Sequence, residues 1–324
     1  MIQPAPAADP IRRKIEALSA QLSLPTVRKA LGILEGEHPS GKRGNGYDYD
    51  GVRSYEPGDE ARLIDWASSA RMGRPMVSEH ERLATSRAWL LLDTGRQMRS
   101  TTPSGESAAS VAANALRMFA SLSLKRSDEV SLITADDQSI TRRPVQADFA
   151  SFEQALDRAL ETPWPYERNI DALLTYALRI PDRHALIILA TDETAIGSEQ
   201  LPSIRRLAQT HPLTLISVAC LNPFDASNDM RRVLDGTTGK QVPAFLRGPQ
   251  EANDLQTHRH YEALALKRDL TRTGSKLIQA GSSEGMFTQF VRLLSTSAIG
   301  TSSVGNSHLP VSEPAPSNLQ GVLA

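Results

Sequence analysis

Between residues 88 and 295 short apolar runs alternate with stretches of helical period, the alternation that marks an α/β domain. Continuous apolar runs at 89–92, 130–134, 185–190, 213–219 and 276–280 predict strands. Helices are predicted between them. Ala112, Ala115, Leu116 and Phe119 recur at i, i+3, i+4 and i+7; Ile170, Leu173, Leu174, Ala177 and Leu178 follow the same period, as do Phe287, Phe290, Val291 and Leu294. Strands apolar on both faces and joined by crossover helices predict a doubly wound, mostly parallel sheet covered on both sides. A more polar stretch at 139–145, after Asp136 and Asp137, predicts an antiparallel edge strand.

The flanks are patterned differently. Residues 31–87 are rich in Gly, Arg and Asp with little helical period, which predicts irregular or short-strand structure. Residues 1–30 form a helical lead, and 296–324, rich in Ser, Gly and Pro without period, are expected to be a disordered tail. The α/β domain proper is expected over 88–295.

Composition narrows the function classes. The chain has 324 residues, with 36 Lys+Arg against 37 Asp+Glu and a formal net charge of −1. A nucleic-acid binder normally carries a basic excess, so that class is disfavoured, Lys42 and Arg43 notwithstanding. A 40% hydrophobic share supports a real core. The single cysteine, Cys220, excludes a disulfide framework and a Cys-based zinc site, and fits a reducing, cytoplasmic compartment. No run is long enough to span a bilayer, and the N-terminal residues lack the apolar core of a signal peptide.

Ligands of open α/β sheets bind beyond the carboxyl ends of the strands, at the switch point of strand order. Two acids are expected there: Asp93, closing the run WLLLD, and Asp192, closing ALIILATD. Two carboxylates from separate strand ends are donors suited to a hard cation such as Mg²⁺; the plainer reading makes each a cap for the turn that follows. Gly36 to Lys42 nearly matches a phosphate-binding loop, but Arg43 replaces the required hydroxyl and no apolar strand precedes it. Gly281-Ser282-Ser283-Glu284-Gly285 fits a nucleophile elbow; only His308 follows it, so a turn capping the last helix is the better reading. His258 and His260, two apart on a helix, point to different faces. Arg53, Arg62, Arg71, Arg74, Arg82 and Arg87 are interleaved with acids, which favours internal ion pairing over a phosphate-binding face. Trp66 reads as a core anchor whose N–H finds a polar partner.

The run from Gly46 to Arg71 closely resembles the signature of the bacterial family called domain of unknown function 58, R-x-Y-x-P-G-D-x-x-R-x-I-D-W. Its positions here are Arg53, Tyr55, Pro57, Gly58, Asp59, Arg62, Asp65 and Trp66, with Arg71 just beyond. The resemblance implies a von Willebrand factor A-like (vWA-like) domain after the signature. It also implies work beside a MoxR-type AAA+ ATPase, as adaptor or chaperone in maturing other proteins. A complete vWA metal site uses Asp-x-Ser-x-Ser, a later Thr and a second Asp. Here the first element reads Asp93-Thr94-Gly95-Arg96-Gln97, and the Thr position falls near Arg168. The resemblance therefore implies a degenerate site in which Asp93 and Asp192 remain and Arg96 and Arg168 neutralise them.

Two functions follow. The first is a non-enzymatic interaction module needing no cofactor, whose partner is the ATPase or its client. The second is a metal-dependent phosphohydrolase built on Asp93 and Asp192. The second is weakened because an aspartyl phosphatase would want an acid where Gly95 stands.

Overall fold

The computed structural model describes residues 10–35, 48–56, 64–81, 86–145, 148–225, 233–236 and 238–299. The phosphate-loop-like run 36–42, the signature residues Pro57, Gly58, Asp59 and Arg62, His308 and the expected tail beyond Ile299 lie outside them.

A six-stranded sheet forms the centre. Its strands are β3 (Arg87–Asp93), β4 (Glu129–Ala135), β5 (Ile140–Pro144), β6 (Leu186–Asp192), β7 (Leu213–Val218) and β8 (Lys276–Ala280), in the spatial order β5-β4-β3-β6-β7-β8. Counted within this sheet alone, that is 3-2-1-4-5-6, the doubly wound order. All pairings are parallel except that of the polar edge strand β5 with β4, as expected. The chain steps outward from β3 through β4 and β5, then returns to the other side of β3 with β6. The carboxyl ends of β3 and β6 are thus adjacent, which is the geometric definition of a switch point.

Alternation along each strand divides the core in two. Ala88, Leu90 and Leu92 face a layer built from α4 (Ala108–Lys125), α5 (Phe149–Glu161) and α9 (Ser283–Ile299). Trp89 and Leu91 face a layer built from α6 (Ile170–Leu178), α7 (Leu201–Thr210) and α8 (Pro249–Arg272). The helices α1 (Pro10–Gln21) and α2 (Leu24–Glu35) add a further cover over α4 and α9, burying Ile11, Ile15, Val27, Leu31 and Leu34. Each such side chain contributes about 1.5–3 kcal/mol when fully buried. Sealed between the sheet and these neighbours, α4 is buried nearly all round, which accounts for its many alanines. Its Arg117 is also buried, held by Asn114 at 2.7 Å and by Asp157 of α5 at 2.5 Å; Arg12 of α1 grips the same Asp157.

The segment before β3 forms a small separate sheet. β1 (Asp48–Ser54) pairs antiparallel with β2 (Met76–Glu81), and α3 (Trp66–Met72) lies between them in sequence. Asp65 caps α3, accepting from the Ser68 amide at 3.0 Å and the Ser68 hydroxyl at 2.7 Å. Gly73, at φ 65°, closes the helix in the left-handed conformation open to glycine. The expectation for Trp66 is overturned: it is 71% exposed at the first turn of α3 and anchors no core. A seven-residue helix has one buried stripe, and here Ser68 takes it.

Candidate functional site

Asp93 and Asp192 end the neighbouring strands β3 and β6 and are only 1% and 2% exposed. Both are fully engaged from within. One oxygen of Asp93 accepts from the Gly95 amide at 2.8 Å, and the other accepts from the Thr191 hydroxyl at 2.8 Å. Asp192 Oδ1 accepts from the Thr194 amide at 2.8 Å and from its hydroxyl at 2.7 Å. These contacts include the turn-capping bonds of the plainer reading.

Between the two acids stands Arg168, from the loop before α6. Its Nη1 donates to Asp192 Oδ1 at 3.0 Å and its Nη2 to Asp192 Oδ2, a two-pronged pairing that only a guanidinium makes. Its Nε lies 3.7 Å from Asp93 Oδ2. Burial pushes the Asp93 carboxyl up from its ordinary range, and the Arg168 charge opposes that rise. Burial also works against the charge of Arg168, but the hydrogen bond and charge of Asp192, with the charge of Asp93, outweigh it and hold the guanidinium protonated.

The placement of Arg168 depends on Gly95. A Cβ added at Gly95 would lie 2.5 Å from Arg168 Cα and Cβ and 2.6 Å from its amide nitrogen. Gln97 completes the lock, its Oε1 accepting from the Arg168 amide at 3.1 Å. The two positions where serines would serve a metal thus hold the arginine's backbone in place. This contact across the 95–168 gap has no local signal; the small residue at 95 is its one trace in the sequence.

Arg96 behaves differently from Arg168. Its Nη2 donates to Glu167 at 2.5 Å on the exposed rim, and its amide donates to the Tyr166 carbonyl at 2.7 Å. Arg168 is the cation that meets both acids. A neighbouring pair, which the sequence reading did not single out, lies one residue beyond Asp192: Glu193 forms an ion pair with Arg259 of α8 at 2.8 Å and accepts from the Cys220 amide at 3.0 Å, while Arg259 Nη1 donates to the Cys220 carbonyl at 3.0 Å. Burial raises the Glu193 carboxyl above its ordinary range, with Arg259 opposing.

A divalent ion implied by vWA resemblance does not fit this corner. Gly95 and Gln97 offer no hydroxyl ligand, the acid oxygens are already bonded, and a guanidinium occupies the space between them. Among the described residues no group of three His, Cys, Asp or Glu side chains is placed to hold a metal. The same saturation leaves Asp93, 1% exposed with both oxygens accepting hydrogen bonds, poorly placed to attack a phosphoryl group.

The other sequence-level candidates fall elsewhere. Ser282 caps α9, its Oγ accepting from the Gly285 amide at 3.0 Å, while Ser283 is 1% exposed and donates to Glu106; the elbow is a capping turn. His258 and His260 are exposed on α8, and His258 lies 3.3 Å from Glu262. Tyr55 is 38% exposed beside β1, with its amide donating to the Pro75 carbonyl. Arg71 is exposed and bonds within α3. Arg53 lies in β1, remote in sequence from the two acids.

The profile of the family "Protein of unknown function DUF58" matches residues 51–241. The chain belongs to that family. It is 26% identical over 216 residues to uncharacterized proteins of Mycobacterium bovis and Mycobacterium tuberculosis, an alignment covering 65% of this chain and 67% of each relative. Among solved structures, it is similar to an aerotolerance-related membrane protein from Bacteroides fragilis, at 14% identity and a TM-score of 0.41, over 65% of this chain and 99% of that one. It is also similar to the VWA domain of SpRpn10, at 12% identity and a TM-score of 0.36, over 68% of this chain and 100% of that one. The fold class of this DUF58 chain rests on its own strand order. No helix among the described residues is long and apolar enough to cross a membrane.

Proposed function

We propose that this chain is a non-enzymatic protein-interaction module with a vWA-like core, acting in the cytoplasm as adaptor or co-chaperone of a MoxR-type AAA+ ATPase in the maturation of other proteins. The observation that carries the non-enzymatic part is the Arg168 lock. The two carboxylates best placed for chemistry are buried and hydrogen-bonded, with the Arg168 guanidinium bound to one of them and 3.7 Å from the other inside the fold. An open α/β switch point without reactive groups is suited to presenting a surface. The ATPase partnership draws on the resemblance of residues 46–71 to the family signature.

Affinity purification of the full chain from its host, with and without ATP, tests the partnership. Co-elution of an AAA+ ATPase whose recovery changes with ATP is the expected result. Failure to recover any ATPase under conditions that preserve weak complexes defeats this reading. The metal-free part is tested by calorimetric titration with Mg²⁺ and Mn²⁺, for which no saturable heat is expected. Micromolar binding abolished by Asp93→Ala, or phosphatase turnover lost in Asp93→Asn, would restore the hydrolase.

A further inference from the structure

Of the 24 residues of α8 only Leu266 and Leu270 are buried, and the helix packs on β8 and, along one flank, on α7. Its charged residues divide between an inner and an outer side. Arg259 turns inward to Glu193, and Asp269 is taken by Arg205 of α7 at 2.6 Å. His258 and Glu262 stand together on a flank. What remains is Glu251 and Asp254 towards the amino end, and Lys267, Arg268 and Arg272 towards the carboxyl end. All five are exposed and make no ion pair among the described residues.

Asp254 and Arg272 are eighteen residues apart, about five turns at 3.6 residues per turn, so they share one line of the helix surface. Tyr261 and Leu264 lie between them, within about a quarter turn of that line. They are 67% and 45% exposed. Acids in the first turns and cations in the last suit the helix dipole, but the dipole gives no reason for two large apolar side chains to stand uncovered midway.

An order of negative, apolar and positive complements itself when reversed. A second α8 laid antiparallel across a two-fold axis at residues 262–263 sets Asp254 against Arg272 at both ends and Tyr261 against Leu264 at the centre, with Arg268 facing Thr257. A parallel pair would set acid on acid and cation on cation. A polyanion or an anionic membrane lying along the helix would meet Glu251 and Asp254 as well as the cations, so the face fits neither.

We propose that the outer face of α8 is a contact between two copies of this chain, packed antiparallel about Tyr261 and Leu264. The matched charges set direction and register, and the apolar centre supplies the burial. One helix from each partner makes a small contact, so the dimer is weak and forms with rising concentration. It does not depend on the ATPase partnership, which the pull-down decides by itself.

Sedimentation of the full chain at increasing concentration is the test, with a reversible monomer–dimer equilibrium, weakened by salt, as the expected result. Each substitution counts twice across a two-fold axis, so Arg272→Asp, Asp254→Arg and Tyr261→Asp should each weaken the dimer roughly tenfold. All three positions are exposed, so the core is untouched. The deciding measurement mixes the two charge variants. One then carries only cations at 254 and 272 and the other only acids, so an antiparallel pair regains both attractions. Mixed dimers should form at near the original strength, as should dimers of the chain carrying both Asp254→Arg and Arg272→Asp. Arg74→Glu, a charge reversal in the loop before β2, should leave association unchanged. A chain that stays monomeric at every concentration, a dimer indifferent to Arg272→Asp, or no recovery on mixing overturns the proposal.

Discussion

Aspartate and arginine meet both at the switch point and in the signature segment, and the two places use them in opposite ways. At the switch point, Asp93 and Asp192 are buried and Arg168 is pinned between them by a contact that leaves no room for a side chain at position 95. In the signature segment, Asp65 caps an exposed helix through neighbours three residues away, and Arg71 bonds back to Ala67 and Ser68 of the same helix. The first group spans 75 residues of chain between Asp93 and Arg168 and depends on tertiary structure. The second is entirely local. A buried charge network is costly to break because each remaining member loses its partner in a low dielectric. An exposed local one is cheap, since water replaces what is removed.

The largest effect is therefore expected from Arg168→Ala. It leaves Asp192 without its cation and should destabilise the fold by about 3–5 kcal/mol, read from denaturant unfolding. Arg71→Ala, the matched change in the signature helix, should stay within about 0.5 kcal/mol. Similar losses from the two variants would erase the distinction between the regions.

Next is Gly95→Ala, expected to cost about 1–3 kcal/mol through overpacking against the Arg168 backbone. The obstruction is main chain on both sides and cannot swing away. The comparison is sharpened by combining the two changes. Because the residues touch, the double variant should lose less than the sum of the singles. Strict additivity would show that the interlock is not a coupled unit.

These contrasts also explain what was legible in the sequence. Strands β3, β6 and β7 are covered on both faces, so their burial is written as unbroken apolar runs. The edge strand β5 announced itself by polarity, and the switch-point acids by closing their strands. By contrast α8 buries Leu266 and Leu270 but few others along 24 residues, so it carries no strong apolar stripe. Trp66 misled because residue type predicts burial only when something stands opposite, and a one-stripe helix on a two-stranded sheet offers little. The pairing of Arg168 with Asp192 was within reach through the vWA resemblance; the partnership of Arg96 with Glu167 depends on loop geometry that no spacing encodes.

A smaller and local effect is expected from Asp65→Ala. Its carboxylate is held below the ordinary range chiefly by the Ser68 amide, then by the Ser68 hydroxyl, both bonds that favour the charged cap. Removing it frees the first turn of α3, so amide hydrogen exchange should quicken in α3 and at Met76, whose amide donates to Ser69 of that turn. Exchange in β3 and β6 should not change. Spread of the effect into those strands would mean that the small sheet and the central sheet form one cooperative unit.

The smallest effect on folding is expected at the most conspicuous residue. Trp66 is large, aromatic and 71% exposed, so Trp66→Ala removes little buried surface and should shift stability by no more than about 0.5 kcal/mol. A loss of 3–5 kcal/mol, the scale of truncating a buried aromatic, would show that the ring is covered in solution. A neutral result has a consequence for the comparison, because a tryptophan that contributes nothing to folding is free to serve recognition. The two regions would then divide the work: the switch point spends its charged groups on holding the fold together, and the signature segment offers an exposed ring.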